Sequence, residues 1–145
     1  VAVKVLTDTE KILIDSLPDG ARLVKTLGDG AMLWFPLAAE AVTTALDLQR
    51  RFLDENVRGE LPLWVRIGGH YGTQTIYGDD LVGHDVNLAA RICDQAGPGE
   101  VLVSEASVVA AGDDVSGGVD FLQIGPTSMK GIPDPVWLYR AVHAD

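Results

Sequence analysis

VKTLGDGAML, residues 24–33, is the stretch whose reading decides the fold. It reads as two short strands joined by Gly28-Asp29-Gly30. Val24, Thr26, Met32 and Trp34 suit an extended chain, and a Gly-Asp-Gly turn lets the backbone reverse through positive φ. The turn leaves the Asp29 carboxylate at the hairpin tip, where it can reach a cation or a phosphate. Aspartate is also an ordinary turn residue, so the tip alone does not choose between the two roles. Lys25 precedes it on the ascending strand.

Working outward, Val3, Leu6, Leu13 and Leu17 recur at helical spacing and predict a helix over residues 2–17, although Val1, Val3 and Val5 also alternate like a strand. Pro18-Asp19-Gly20 supplies turn chemistry before the hairpin. Pro36 closes the hairpin, and residues 37–53 predict a helix. Its apolar stripe is Ala38, Ala41, Val42, Ala45, Leu46, Leu48 and Phe52, with Glu40, Asp47, Gln49, Arg50 and Arg51 facing outward. Residues 63–71, LWVRIGGHY, read as a strand that breaks into glycines, with residues 73–77 as its partner. Residues 78–84 read as a loop and 85–95 as a helix ended by Gly97-Pro98-Gly99. A strand over 101–103 leads to Ser104, which caps a short helix over 105–111. Residues 121–124 and 136–142 are the last strands, separated by a turn with Lys130-Gly131 and Pro133. The class is therefore α+β, with helices packed on one face of a mainly antiparallel sheet.

Composition narrows the function. The 145 residues are 47% hydrophobic and 22% charged, which suits one globular domain. A net charge of −10 argues against general nucleic-acid binding but leaves room for a small anion held by a few placed cations. The lone cysteine, Cys93, excludes an internal disulfide and fits a reducing, cytoplasmic setting. No apolar run is long enough to span a membrane. The chain opens at Val1, so it reads as a piece of a longer protein, with room for a fused regulatory domain.

Residues 85–92, DVNLAARI, carry the second informative pattern. Asn87 and Arg91 are i and i+4 on a helix and share a face. An amide beside a guanidinium suits a phosphate that gains charge during a reaction, because the guanidinium offers several rigid donors. The same pair is also an ordinary solvated helix face.

Four blocks together resemble the class III nucleotidyl cyclase catalytic domain, the adenylate/guanylate cyclase family. They are KTLGDG (25–30), VRIGGHYG (65–72), DLVGHDVNLAARI (80–92) and KGIPDPVWLY (130–139), in the family's order. The resemblance implies a ferredoxin-like fold and conversion of ATP to cyclic AMP and pyrophosphate. It implies that Asp29 is one of two metal-binding aspartates. Two Mg²⁺ or Mn²⁺ ions would bridge the phosphates and lower the pKa of the ribose 3′-hydroxyl. Lys25 and Asp80 would read the base, Asn87 would orient the ribose, Arg91 would stabilise the transition state, and Lys130 would bind the terminal phosphates.

The Lys25/Asp80 pair has a physical reading. A lysine donates to adenine N1 and an aspartate accepts from the exocyclic amine. Guanine presents the opposite pattern, and each buried group left unpaired costs about 1–3 kcal/mol. Asp79 could take the place of Asp80 if the loop register differs by one. In this family the sites form head-to-tail between two subunits, so a homodimer would hold two sites and a monomer would be inactive.

One departure stands out. The family begins with a central strand carrying the other metal aspartate, and here only 28 residues precede Asp29. None of Asp8, Asp15 or Asp19 falls on a stretch read as that strand. The chain is thus expected to be a single cyclase domain over 1–145 that is incomplete at its N-terminus. The alternative function is a catalytically inactive cyclase-homology module that binds nucleotide or a protein partner. His70 and Gly72 read as shaping a tight strand end, His84 as a solvated loop residue, and Trp34, Trp64 and Trp137 as core or interface packing.

Overall fold

The structure is a computed structural model that describes residues 2–6, 17–27, 30–58, 65–72, 75–77, 80–82, 84–112 and 118–144. The two hairpin strands form as read. Strand β2 (Arg22–Leu27) pairs antiparallel with β3 (Gly30–Trp34), with a register shift between Leu23 and Lys25. Gly28 and Asp29 lie outside the described residues.

The helix expected over 2–17 is corrected at its start. Ala2–Leu6 is strand β1, which pairs antiparallel with β3 from Ala2↔Trp34 to Leu6↔Gly30. Its other edge pairs with β4 (Arg66–His70), from Ala2↔His70 to Leu6↔Arg66. The two-residue alternation prevailed over the helical spacing because the two faces bury against different partners. Val3 enters one apolar cluster and Ala2 another. The expectation of a sheet without its central first strand is corrected with it, since β1 occupies that place. Residues 7–16 lie outside the described residues.

Among the described residues, the main sheet has seven strands in the order β2-β3-β1-β4-β7-β9-β8. Its first four follow the ferredoxin-like order. Strand β7 (Val101–Ser104) pairs parallel with β4, while β9 (Val136–His143) and β8 (Val119–Thr127) complete an antiparallel ribbon. Residues 73–77 were expected to pair with β4, but 75–77 do not. They form β5 (Thr75–Tyr77) and pair with β6 (Asp80–Val82) in a separate ribbon, so the expected loop from 78 contains a strand.

Three helices pack on this sheet among the described residues: α1 (Ala38–Arg58), α2 (His84–Gln95) and α3 (Glu105–Ala111). The α+β class stands, but the helices occupy both faces rather than one. The expected apolar stripe of α1 is buried in full, against Val3, Ile67, Val101 and Val103. Helix α2 covers the opposite face, where Leu88 and Ile92 meet Leu102 and Leu138. Gly68 explains how α2 comes so close. A Cβ at this position would lie 2.2 Å from the Cys93 backbone nitrogen, so α2 rests directly on bare backbone. Cys93 is buried there and donates its thiol to the Arg66 carbonyl at 3.4 Å. Among the described residues, no helix is long and apolar enough to cross a membrane.

Candidate active site

The α2 pattern produces one sheet-facing side and one open side. Val86, Leu88, Ala89, Ile92 and Cys93 are buried, which leaves Asn87 exposed and Arg91 half-buried one turn apart. The turn before β9 approaches that open side. Met129 is buried in the α2 cluster and anchors the turn, while the Ile132 amide donates to the Met129 carbonyl at 3.2 Å. Gly131 has φ +77, a conformation that side chains rarely adopt, and it lets the chain reverse. Lys130 is thereby held exposed beside α2.

Asn87, Arg91 and Lys130 line one open hollow with Ala90, Asp94 and Gly131. Its charged lining groups among the described residues are two cations and one anion. Arg91 Nη1 lies 3.5 Å from Asp94 Oδ2, and both side chains are half-exposed, at 43% and 45%. A guanidinium, an ammonium and an amide at one hollow form a donor set suited to a polyphosphate.

The other expected site residues are placed less completely. Lys25 lies on β2 opposite Met32, and Asp80 opens β6 opposite Tyr77. Strand β6 packs against both β2 and α2, so the strands carrying Lys25 and Asp80 touch. The side chains of both residues, and Asp29 and Asp79 altogether, fall outside the described residues. Among the described residues, no group of three or more His, Cys, Asp or Glu side chains converges. Carboxylates suit a hard divalent cation in their chemistry, and two of them stand in the sequence just beyond described strand residues, themselves outside the described residues. Asp29 immediately precedes Gly30 and Asp8 follows Leu6 by two residues, and Leu6↔Gly30 is the last described pair of β1 with β3.

Gln49 has a role that sequence reasoning missed, while His70 at its strand end and Ser104 at its helix cap stand as read. Gln49 does not face outward. Its amide donates to the Val65 carbonyl at 3.1 Å and the Glu100 carbonyl at 3.0 Å, tying α1 to the starts of β4 and β7. His70 is buried, with Nδ1 2.7 Å from Ser104 Oγ. Ser104 caps α3, and Ser107 Oγ accepts the Tyr71 amide at 2.9 Å. This network fixes the end of β4, where the chain departs for the β5–β6 ribbon. Asp94 gave one signal in the sequence, its i+3 spacing from Arg91.

The model of the adenylate and guanylate cyclase catalytic domain matches residues 4–141. An uncharacterised protein of Mycobacterium tuberculosis is 34% identical over 137 residues, covering 93% of this chain and 34% of that protein. The chain thus spans about a third of that relative. A receptor-type adenylate cyclase of Trypanosoma brucei brucei is 29% identical over 159 residues, 81% of this chain and 13% of that protein. Among solved structures, a Trypanosoma brucei adenylate cyclase in its monomeric state superposes with a TM-score of 0.78. It is 22% identical and covers 97% of this chain and 86% of that one, a likeness of fold.

Proposed function

The chain belongs to the adenylate and guanylate cyclase catalytic domain family, and from that premise we propose that residues 1–145 form an adenylate cyclase domain acting on ATP as a head-to-tail homodimer. The observation that carries this reading is the convergence of Asn87, Arg91 and Lys130 on one open hollow. Lys130 would hold the terminal phosphates of ATP. Arg91 would meet the α-phosphate, where negative charge grows as the new P–O bond forms and pyrophosphate departs. Asn87, one turn away, would hold the ribose so that its 3′-hydroxyl faces that phosphorus.

Lys25 and Asp80 would read adenine, with the lysine donating to N1 and the aspartate accepting from the amine. The contact between β2 and β6 supports that pairing. The relative from Trypanosoma brucei brucei, named as an adenylate cyclase, supports the same preference. Asp29 and Asp8 would hold divalent cations, Mg²⁺ or Mn²⁺. Such ions, when bound, offset phosphate charge and ease loss of the hydroxyl proton.

The test is cyclic nucleotide formation from ATP and from GTP with Mg²⁺ or Mn²⁺, comparing the parent with Arg91→Ala. Removing one preorganised transition-state donor costs about 10²–10³ in kcat. That loss is expected with an unchanged melting temperature, because Arg91 is half-exposed. Lys25→Glu with Asp80→Cys is expected to weaken the preference for ATP. Equal turnover by the parent and Arg91→Ala would defeat the proposal. Nucleotide binding without product from either would favour an inactive module.

A further inference from the structure

The hollow that gathers Asn87, Arg91 and Lys130 contains a group the proposed chemistry does not call for. Asp94 lies on the same face of α2, one turn beyond Arg91, and lines the same space. Its carboxylate is 3.5 Å from the Arg91 guanidinium and remains 45% exposed. An acid at a polyphosphate site is not neutral. It offsets part of the cationic field and repels the ligand directly. It also does not lock Arg91 away, because one contact at 3.5 Å leaves the guanidinium's other donors free.

We propose that Asp94 is an electrostatic brake on this hollow, which weakens its hold on polyphosphate and so hastens departure of pyrophosphate. The inference rests on the phosphate-binding reading of Asn87, Arg91 and Lys130 given above. Arg91 and Lys130 alone would favour a product carrying several negative charges. That product is the leaving group of the proposed reaction, so a site tuned for tight binding would stall on it. Asp94 shifts the balance toward release while keeping Arg91 within reach of the α-phosphate. Because the groups are exposed, the effect is screened by salt.

The experiment is titration of inorganic pyrophosphate into the whole protein by calorimetry, at low and high salt, for the parent, Asp94→Asn, Asp94→Glu, Arg91→Ala and Lys130→Ala. Asp94→Asn is expected to bind pyrophosphate about three- to ten-fold more tightly, since an exposed charge contributes modestly but the ligand carries several. The gain should shrink as salt rises, and Asp94→Glu should match the parent. In turnover, Asp94→Asn should show stronger inhibition by pyrophosphate and a lower KM. A residue that served only to stabilise α2 would move the melting temperature but not this salt dependence. Equal pyrophosphate affinity in the parent and Asp94→Asn, with Arg91→Ala and Lys130→Ala weakened, overturns the brake alone. Parent-like binding in Arg91→Ala and Lys130→Ala overturns the phosphate-site reading itself and the brake with it.

Discussion

The two faces of the sheet are packed by different rules, and the adjacent glycines Gly68 and Gly69 show the contrast most sharply. Gly68 points at α2, where an added Cβ would lie within 2.2–2.8 Å of the Cys93 and Ile92 backbone. Gly69 points at α1, where an added Cβ would meet Val103 and Val3 side chains at 3.5 and 3.6 Å, ordinary contact. A small apolar cavity lies there, lined by Val3, Ala41, Val42, Gly69 and Val103 among others. The α1 face is thus a broad apolar core with slack. The α2 face is tight, and its outer side carries Asn87 and Arg91. Close approach on that face sets the position of α2, and therefore of the proposed catalytic side chains, relative to the rest of the sheet.

Three substitutions test this contrast. Gly68→Ala forces α2 off the sheet, since helix backbone rather than a flexible side chain stands in the way. It is expected to cost about 3 kcal/mol, the upper range for overpacking, and to depress turnover as Arg91 shifts. Chemical denaturation and an activity assay would measure both, and a change under 1 kcal/mol would break the contrast. Gln49→Ala removes the two hydrogen bonds that fasten α1 to Val65 and Glu100. Both carbonyls keep a backbone donor, from Gly99 and Ile67, so the loss should be about 1–2 kcal/mol. Turnover at a temperature where the variant is folded should be preserved, because Gln49 serves the α1 face. Gly69→Ala should be the mildest. It fills slack and restricts the unfolded chain, so denaturation should show a gain of about 0.4–1 kcal/mol. A loss there would mean that the α1 face is as tight as the other.

Much of this arrangement was readable from local chemistry. The Gly-Asp-Gly hairpin strands, the alanine-rich stripe of α1 and the Ser104 cap of α3 each depend on residues close in sequence, and each formed as read. Ala2–Leu6 was misread because its strand state is decided by β3 and β4, which are distant in the chain. Leu6, Leu13 and Leu17 offered a competing helical period that carries no such information. The same non-locality hid the β5–β6 ribbon and the presence of α2 on its own face. Gly68-Gly69 looked like a fraying strand end, when one of the two marks a helix resting on bare backbone. In the candidate site, the shared open face of Asn87 and Arg91 was legible from i, i+4 spacing. The approach of Lys130 depends on Met129 burying beneath α2, and no spacing rule reports that.

The central claim is that one copy's hairpin tip and another copy's α2 share a nucleotide cleft. Its most direct test is to mix two inactive variants, Asp29→Ala and Arg91→Ala, and to measure cyclic AMP formation. Each heterodimer would carry one intact site, so an equal mixture should recover about a quarter of the parent's activity if subunits exchange freely in a twofold dimer. A mixture that forms heterodimers, verified by differential tags, yet stays as inactive as either variant would contradict the account.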